Sequence, residues 1–447
     1  MLIGQASINL TANILSALLG LLSVFVFTRL FSPHDYGTYL LGTGFASVIS
    51  VFLAGWFRNL VLSGHARNDG TDVRGLVASG FLLSCLTAPI AYGLGVLTGL
   101  GAAAAVAAIA LSIAIAFFDL TQDLIRARLR AFAVMRGTLV RSAGVLCLGV
   151  LVALVSPTGL VLLLSSTAAC LIAILVQSRT AWRGTMMVFD RADLAALARQ
   201  GLPLTVSLTL LAVSSVADRF VIANLVGAAD AGRYVAALDL VRQTLMLPAM
   251  SAAAALGFAM ISAHVANVVL GADFREIAAQ TMPIVAVAVI FQILTQQYLH
   301  ASFLLSGRNS FYLINPASII VANVILSCVL VESHGTVGAA WARLGADAIG
   351  FLCALVLSRS AFPVPLPAGR LALVMIAALI MALMVGALDR HLHVGDLTAC
   401  IVLACTGFCS YAALCWLFDI SRLRGRLKSG VALLRTKRAN LTIGPSP

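Results

Sequence analysis

A small set of charged side chains stands inside apolar runs, where a charge at a helix centre costs roughly 2.5–3.5 kcal/mol on insertion scales and needs a partner or water. Asp218 and Arg219 are adjacent, Asp239 and Arg242 are three apart, and Arg343 and Asp347 are four apart. The last two spacings put each pair on one face of a helix. Asp119 and Asp123 share a face one turn from Arg126 and Arg130, while Arg29 has no acid within its own run. Two chemistries are open to such residues. Each Asp can pair with the neighbouring Arg in a neutral bridge that holds helices in register. Alternatively, Arg side chains facing a hydrated cavity can present a bidentate fork to an anionic ligand. Arg29, Arg219, Arg242 and Arg343 are the candidates for that role, with Asp218, Asp239 and Asp347 as candidates for exchanging a proton or a sodium ion.

Other residues carry less. Gln292, Gln296, Gln297, Tyr298 and His300 form a polar run that can bond a hydroxyl-bearing ligand or join helices. His391 and His393 lie near Asp389 and Asp396 in a loop with no fourth ligand in a defined geometry, so no metal site is expected. The nine cysteines all fall inside apolar runs and are read as packing residues. No phosphate-binding loop and no nucleophile elbow is present, which argues against direct use of ATP, against an enzyme and against a cofactor.

The elements that must position these residues are membrane helices. Hydrophobic residues make up 61% of the chain and charged residues 10%, against about 45–50% and 25% in soluble domains, so there is no polar shell for a water-soluble globule. Thirteen apolar runs are visible, at 9–31, 36–57, 76–99, 102–125, 137–156, 158–178, 203–226, 233–263, 278–304, 310–331, 335–358, 368–388 and 397–418. The first has no basic flank or cleavage site and reads as a retained helix rather than a signal peptide. Basic residues cluster after the second run (Arg58, Arg67, Arg74), the fourth (Arg126, Arg128, Arg130, Arg136) and the sixth (Arg179, Arg183, Arg191, Arg199). That alternation puts the amino terminus in the cytoplasm. An odd number of spans would leave the basic tail, Arg422 to Arg438, outside. Splitting the long 233–263 run at Pro248 repairs this and gives about fourteen spans with both termini cytoplasmic. The net charge of +12 lies in short loops and the tail rather than on one face, so it argues for membrane lipids as partners and against nucleic acid.

The chain also repeats itself. Leu30, Asp35, Gly37 and Tyr39 recur 195 positions later as Leu225, Asp230, Gly232 and Tyr234. Leu175-Val176-Gln177-Ser178-Arg179 recurs as Leu355-Val356-Leu357-Ser358-Arg359, now 180 positions on. The loss of fifteen residues matches a missing inner loop after the eighth helix. The expected architecture is all-α and polytopic, with two parallel six-helix repeats. A first lobe occupies 1–180, a cytoplasmic linker 181–202, a second lobe 203–360, two additional helices 361–420, and a basic cytoplasmic tail 421–447. Paired lobes of this kind point to alternating access with a site between them.

The segment Thr28-Arg29-Leu30-Phe31-Ser32-Pro33-His34-Asp35-Tyr36-Gly37-Thr38-Tyr39 resembles the opening signature of the polysaccharide transporter family. Asp218-Arg219-Phe220 followed by Gly227 and Ala231-Gly232-Arg233-Tyr234 resembles the matching segment of its seventh helix. Gly271-Ala272-Asp273-Phe274 and Leu305-Ser306-Gly307-Arg308 resemble stretches flanking the tenth. Together they place the chain by resemblance in the oligosaccharide flippase branch of the multidrug/oligosaccharidyl-lipid/polysaccharide exporter superfamily. The resemblance implies a protein of the bacterial inner membrane that flips a lipid-linked oligosaccharide, usually on undecaprenyl diphosphate, alongside other polysaccharide assembly proteins. The candidate arginines would then meet the diphosphate, Arg29 and Arg219 first. A multidrug or cation antiporter of the same superfamily and a non-transporting scaffold are the alternatives. A polymerase or ligase, which needs a sizeable outer loop, is disfavoured by the short outer loops.

Overall fold

The computed structural model describes residues 2–66, 74–185, 190–246, 252–300, 302–303, 311–362 and 368–418. The Pro248 break, the turn Leu305–Arg308, Arg67 and the basic tail from Arg422 lie outside the described residues. Every regular element described is helical.

Helices α1 (Leu2–Leu30) and α2 (Pro33–Ala66) are separated by Phe31 and Ser32. The local sequence dictates the restart. Pro33 takes the first helical position, where its missing N–H has no bond to lose. Ser32 Oγ accepts from the Asp35 N–H at 3.1 Å and donates to the Asp35 carboxylate at 2.6 Å. Next come α3 (Arg74–Cys85) and α4 (Ala88–Leu97), bent by 45°. They are followed by α5 (Ala102–Ala127), α6 (Ala131–Val155) and α7 (Gly159–Trp182). Asp190 then caps α8 (Arg191–Leu225) by accepting from the N–H groups of Ala192 and Asp193. The second copy of the repeat restarts at α9 (Ala228–Met246) after Gly227, whose φ of +105° suits a residue without Cβ.

Beyond it lie α10 (Ala252–Val269) and α11 (Ala272–Ile293), the latter continued by a π-helical turn over Leu294–Leu299. The 51-residue α12 (Phe311–Ala361) is broken at Gly335, with φ 55° and ψ −137°. A hairpin of α13 (Ala368–Asp389) and α14 (Asp396–Leu417) ends the described chain.

Among the described residues, ten helices are long and apolar enough to cross a membrane, eleven when the bent α3–α4 pair counts as one span. The chain is an all-α polytopic membrane protein, and the fourteen spans expected from sequence exceed this number for physical reasons. Helix α9 carries Asp230, Arg233, Asp239 and Arg242, which dilute its hydropathy. Helix α12 counts once although its backbone breaks at Gly335 and its two arms pack on each other, Gly350 against Ile319 and Gly345 against Leu326.

Two large apolar cores hold the bundle. One joins α1, α2, α9 and α11 through Phe27, Tyr36, Tyr234, Leu238 and Phe274. The other joins α2, α3, α5 and α7 through Leu53, Phe57, Phe81, Leu120 and Leu163. A small third core of Met381, Val385 and Leu403 closes the α13–α14 hairpin, which packs on α10. Leu154, Leu175 and Phe408 are exposed on outer faces, where lipid rather than water is the compatible solvent.

Candidate functional site

Helices α2, α5, α8, α9 and α11 surround a cavity of about 620 Å³ whose lining includes Arg58, Asp123, Arg126, Arg242, Gln292 and Gln296. Arg58 comes from α2 and bridges two carboxylates one turn apart on α5. Its Nε donates to Asp123 at 2.7 Å and its Nη1 to Asp119 at 3.1 Å. Arg126 donates to the second oxygen of Asp123 at 3.2 Å. Arg141 stands 4.0 Å from Asp119, so three cations face two anions in this group. Arg242 enters from α9 and donates to the Ser215 carbonyl at 3.3 Å. A guanidinium has five N–H donors in a planar fork, so this one bond leaves most of its capacity for a ligand. The charged lining of the cavity is three arginines against one aspartate.

The π-helical turn shapes the same wall. It inserts wider backbone at Leu294, two residues after Gln292, a device often found at functional sites. Gln292 and Gln296 line the cavity, while His300 turns to α12, its Nε2 3.1 Å from Asn315 Oδ1. Asn315 Nδ2 donates in turn to the Gly350 carbonyl at 2.7 Å, across the break in α12.

Behind the cavity the remaining charges neutralise one another, in pairings that cross helices. Arg343 is 2% exposed and donates to Asp347 at 2.7 Å and to Asp218 at 3.1 Å. The Tyr234 hydroxyl donates to the same Asp218 oxygen at 3.1 Å. Arg219 pairs with Asp239 of α9 at 2.9 Å rather than with its neighbour Asp218. Of the pairs on α8, α9 and α12, the expected in-helix pairing is found only for Arg343 and Asp347, as it is on α5 for Arg126 and Asp123.

The structure separates the sequence candidates. Arg242 lines the cavity, whereas Arg219 is committed to the half-buried Asp239 and Arg343 to the buried Asp218 and Asp347. Arg29 is exposed at the end of α1, over the Phe25 ring, and donates to the carbonyls of Phe25, Val268 and Val269. It closes off the carbonyl end of α10, a favourable place for a cation. Asp218 and Asp347 share one guanidinium. Arg58 and Arg126 were missed because both were counted as loop charges. The available signal was that Arg58 directly follows an apolar run and that Asp119 and Asp123 share a face.

Volume alone does not identify the site. A cavity of about 650 Å³ among α3, α5 and α7, walled by Phe81, Phe117 and Trp182, has no charged lining residue.

Residues 3–263 match the model of the family described as polysaccharide biosynthesis protein. No curated protein matches the chain. Among solved structures, the chain is similar to the lipid II flippase MurJ in an inward closed conformation, with a TM-score of 0.72 at 14% identity over 92% of this chain and 98% of that one. Similarity is weaker to the eukaryotic MATE transporter AtDTX14, with a TM-score of 0.52 at 13% identity over 80% and 96% of the two chains. An outward-facing multidrug resistance MATE family transporter of the MOP superfamily gives 0.51 at 13% identity over 80% and 95%.

Proposed function

Since the chain belongs to the polysaccharide biosynthesis protein family and has the MOP-superfamily fold, that of transporters and not of enzymes, we propose that it flips a lipid-linked oligosaccharide across the bacterial inner membrane. The cargo is of the undecaprenyl diphosphate type, moved by alternating access between lobes at 1–180 and 203–360. In this reading there are fourteen spans with both termini in the cytoplasm. Helices α3 and α4 form one span, and the arms of α12 on either side of Gly335 form two. The lipid II flippase with a similar fold supports the cargo class, since its name states a lipid-linked substrate.

The observation that carries the proposal is the positive lining of the cavity at Arg58, Arg126 and Arg242. A diphosphate arriving there meets three guanidinium groups against the one carboxylate of Asp123, and each Arg–phosphate bond is charge-assisted. Glutamines at 292 and 296 can accept and donate to polar groups beside it. A hydrophobic cation would meet the wrong sign of charge, which disfavours multidrug antiport. Arg29, Arg219 and Arg343 recede from the headgroup role, because none of them lines this cavity. Coupling through Asp218, Asp239 or Asp347 would require a proton or sodium ion to displace a guanidinium.

The test is flipping of a fluorescent undecaprenyl-diphosphate-linked sugar by purified protein in proteoliposomes, read by quenching from outside. Wild type is expected to flip it and Arg242→Ala to lose at least about tenfold in rate, the equivalent of one charge-assisted bond. A wild type that leaves the lipid unflipped refutes the reading.

A further inference from the structure

Along α2 and α9 the cationic cavity is succeeded by a second chamber of different chemistry. It measures about 560 Å³, and its lining includes Asn13, Ser16, Thr43, Ser142, Tyr39 and Gln243. On α2, Ser47 of this chamber is one turn from Val51 of the cationic cavity, and on α9 Asp239 and Gln243 flank Arg242. The pair Arg219–Asp239 lies at the junction, with the Arg219 Cδ 3.5 Å from where a Cβ on Gly44 would stand.

The charges of this chamber balance. Arg141 and Asp239 are its one cation and one anion, and Asp239 is already paired with Arg219. A phosphate gains little there. What the walls offer is hydroxyls, amides and phenols. Ser16 and Ser142 share a hydrogen bond at 2.7 Å across α1 and α6, and Tyr39 lies stacked on Tyr36 with its hydroxyl accepting from Ser166. Thr43 donates to the Leu40 carbonyl and keeps its lone pairs for an incoming donor. Gln243 Oε1 is buried without any hydrogen-bond partner. Such an acceptor costs free energy until a donor reaches it, so its presence in a polar chamber marks a place for an O–H or N–H group.

Resting on the reading of the cationic cavity as a diphosphate site, we infer that this chamber is the sugar subsite. It takes the uncharged, hydroxyl-rich residue joined to the diphosphate, and Gln243 and Thr43 determine selectivity for it. On α9 Arg242 faces the cationic cavity and Gln243, about 100° further round the helix, faces the neutral one, so a diphosphate held by the first leaves its attached sugar at the boundary with the second. A site built to hydrogen-bond a substrate group rejects analogues lacking it, because its own polar groups are then left unpaired.

The experiment compares binding of two lipids to purified protein: undecaprenyl diphosphate, and the same lipid bearing one N-acetylglucosamine. Wild type is expected to prefer the sugar-bearing lipid. Gln243→Leu should cut that preference about tenfold and Thr43→Val, which only removes a hydroxyl, by a smaller factor. Arg242→Ala should weaken both lipids together and keep their ratio. Equal affinity of wild type for the two lipids, or a preference that survives both Gln243→Leu and Thr43→Val, overturns the sugar subsite and leaves the diphosphate reading standing. Failure of wild type to bind the bare lipid overturns both.

Discussion

Gly37 and Gly232, which occupy matching places in the two copies of the repeat, lie back to back where α2 and α9 begin. A methyl group on Gly232 would fall 2.8 Å from the Cα of Gly37 and 2.5 Å from the carbonyl oxygen of Pro33, and one on Gly37 would collide with the carbonyl of Ala228. No side chain fits between these helix starts, so glycine at both positions is what lets the starts of α2 and α9 touch. Such overpacking costs about 1–3 kcal/mol. Gly232→Ala is expected to force the contact open. A cysteine introduced at Thr43, inside the neutral chamber, should then react at least about fivefold faster with a membrane-impermeant maleimide added from outside. An unchanged rate would show that this contact does not seal the chamber.

The Arg343 cluster predicts a stability effect distinct from a transport effect. Arg343→Ala leaves Asp218 and Asp347 buried without their cation, a loss of about 3–5 kcal/mol for a broken buried pair. Thermal unfolding in detergent should show a large drop for Arg343→Ala. Arg343→Lys should restore only part of it, because an ammonium cannot fork to two carboxylates in the same plane. Arg242→Ala, which breaks one long bond to a carbonyl, should leave the unfolding temperature close to wild type.

Arg219 and Asp239 are expected to be coupled. The single substitutions Arg219→Ala and Asp239→Ala each strand a charge, whereas the double substitution removes both. A double-mutant cycle on unfolding free energy should therefore return a coupling of about 0.5–3 kcal/mol. A value near zero would contradict the pairing across α8 and α9.

Arg29→Ala should retain flipping within about twofold of wild type while loosening the carbonyl end of α10, where a favourable charge is typically worth about 0.3–1 kcal/mol. Loss of flipping by a stably folded Arg29→Ala protein would return this residue to the headgroup site.

Flipping is expected to continue when the proton or sodium gradient is collapsed by an ionophore, because all three candidate coupling carboxylates already hold a guanidinium. Arrest by a sodium ionophore or a protonophore would show that one of these pairs opens during the cycle.

The class of fold and the family were legible in the sequence because both rest on dense signals: uninterrupted apolar runs and the stretch around Asp35, Gly37 and Tyr39. The membership of the charge group behind the cavity, Asp218, Arg219, Asp239, Arg343 and Asp347, was legible too, since a charge inside an apolar run is conspicuous. Its wiring was not. Spacing within one helix reports only neighbours on that helix, so Arg219 was grouped with Asp218, while its actual partner, Asp239, approaches from α9. Arg29 looked free for the same reason, because the carbonyls of Val268 and Val269 that it meets carry no sequence signature at all. Arg58 sits in the last turns of α2, and a count of basic loops could not distinguish it from a loop residue.

The π-helical turn at Leu294–Leu299 has a bearing on how α11 tolerates change. One surplus residue in a helix rotates everything after it by about 100° relative to an unbroken helix. That rotation lets a single rod serve two clients, Gln292 and Gln296 on one side and the His300–Asn315 clasp on another. Deleting Thr295 would straighten the rod and swing both Gln296 away from the cavity and His300 off its partner while leaving Gln292 in place, so a one-residue deletion there should do more harm than any conservative replacement of the glutamines.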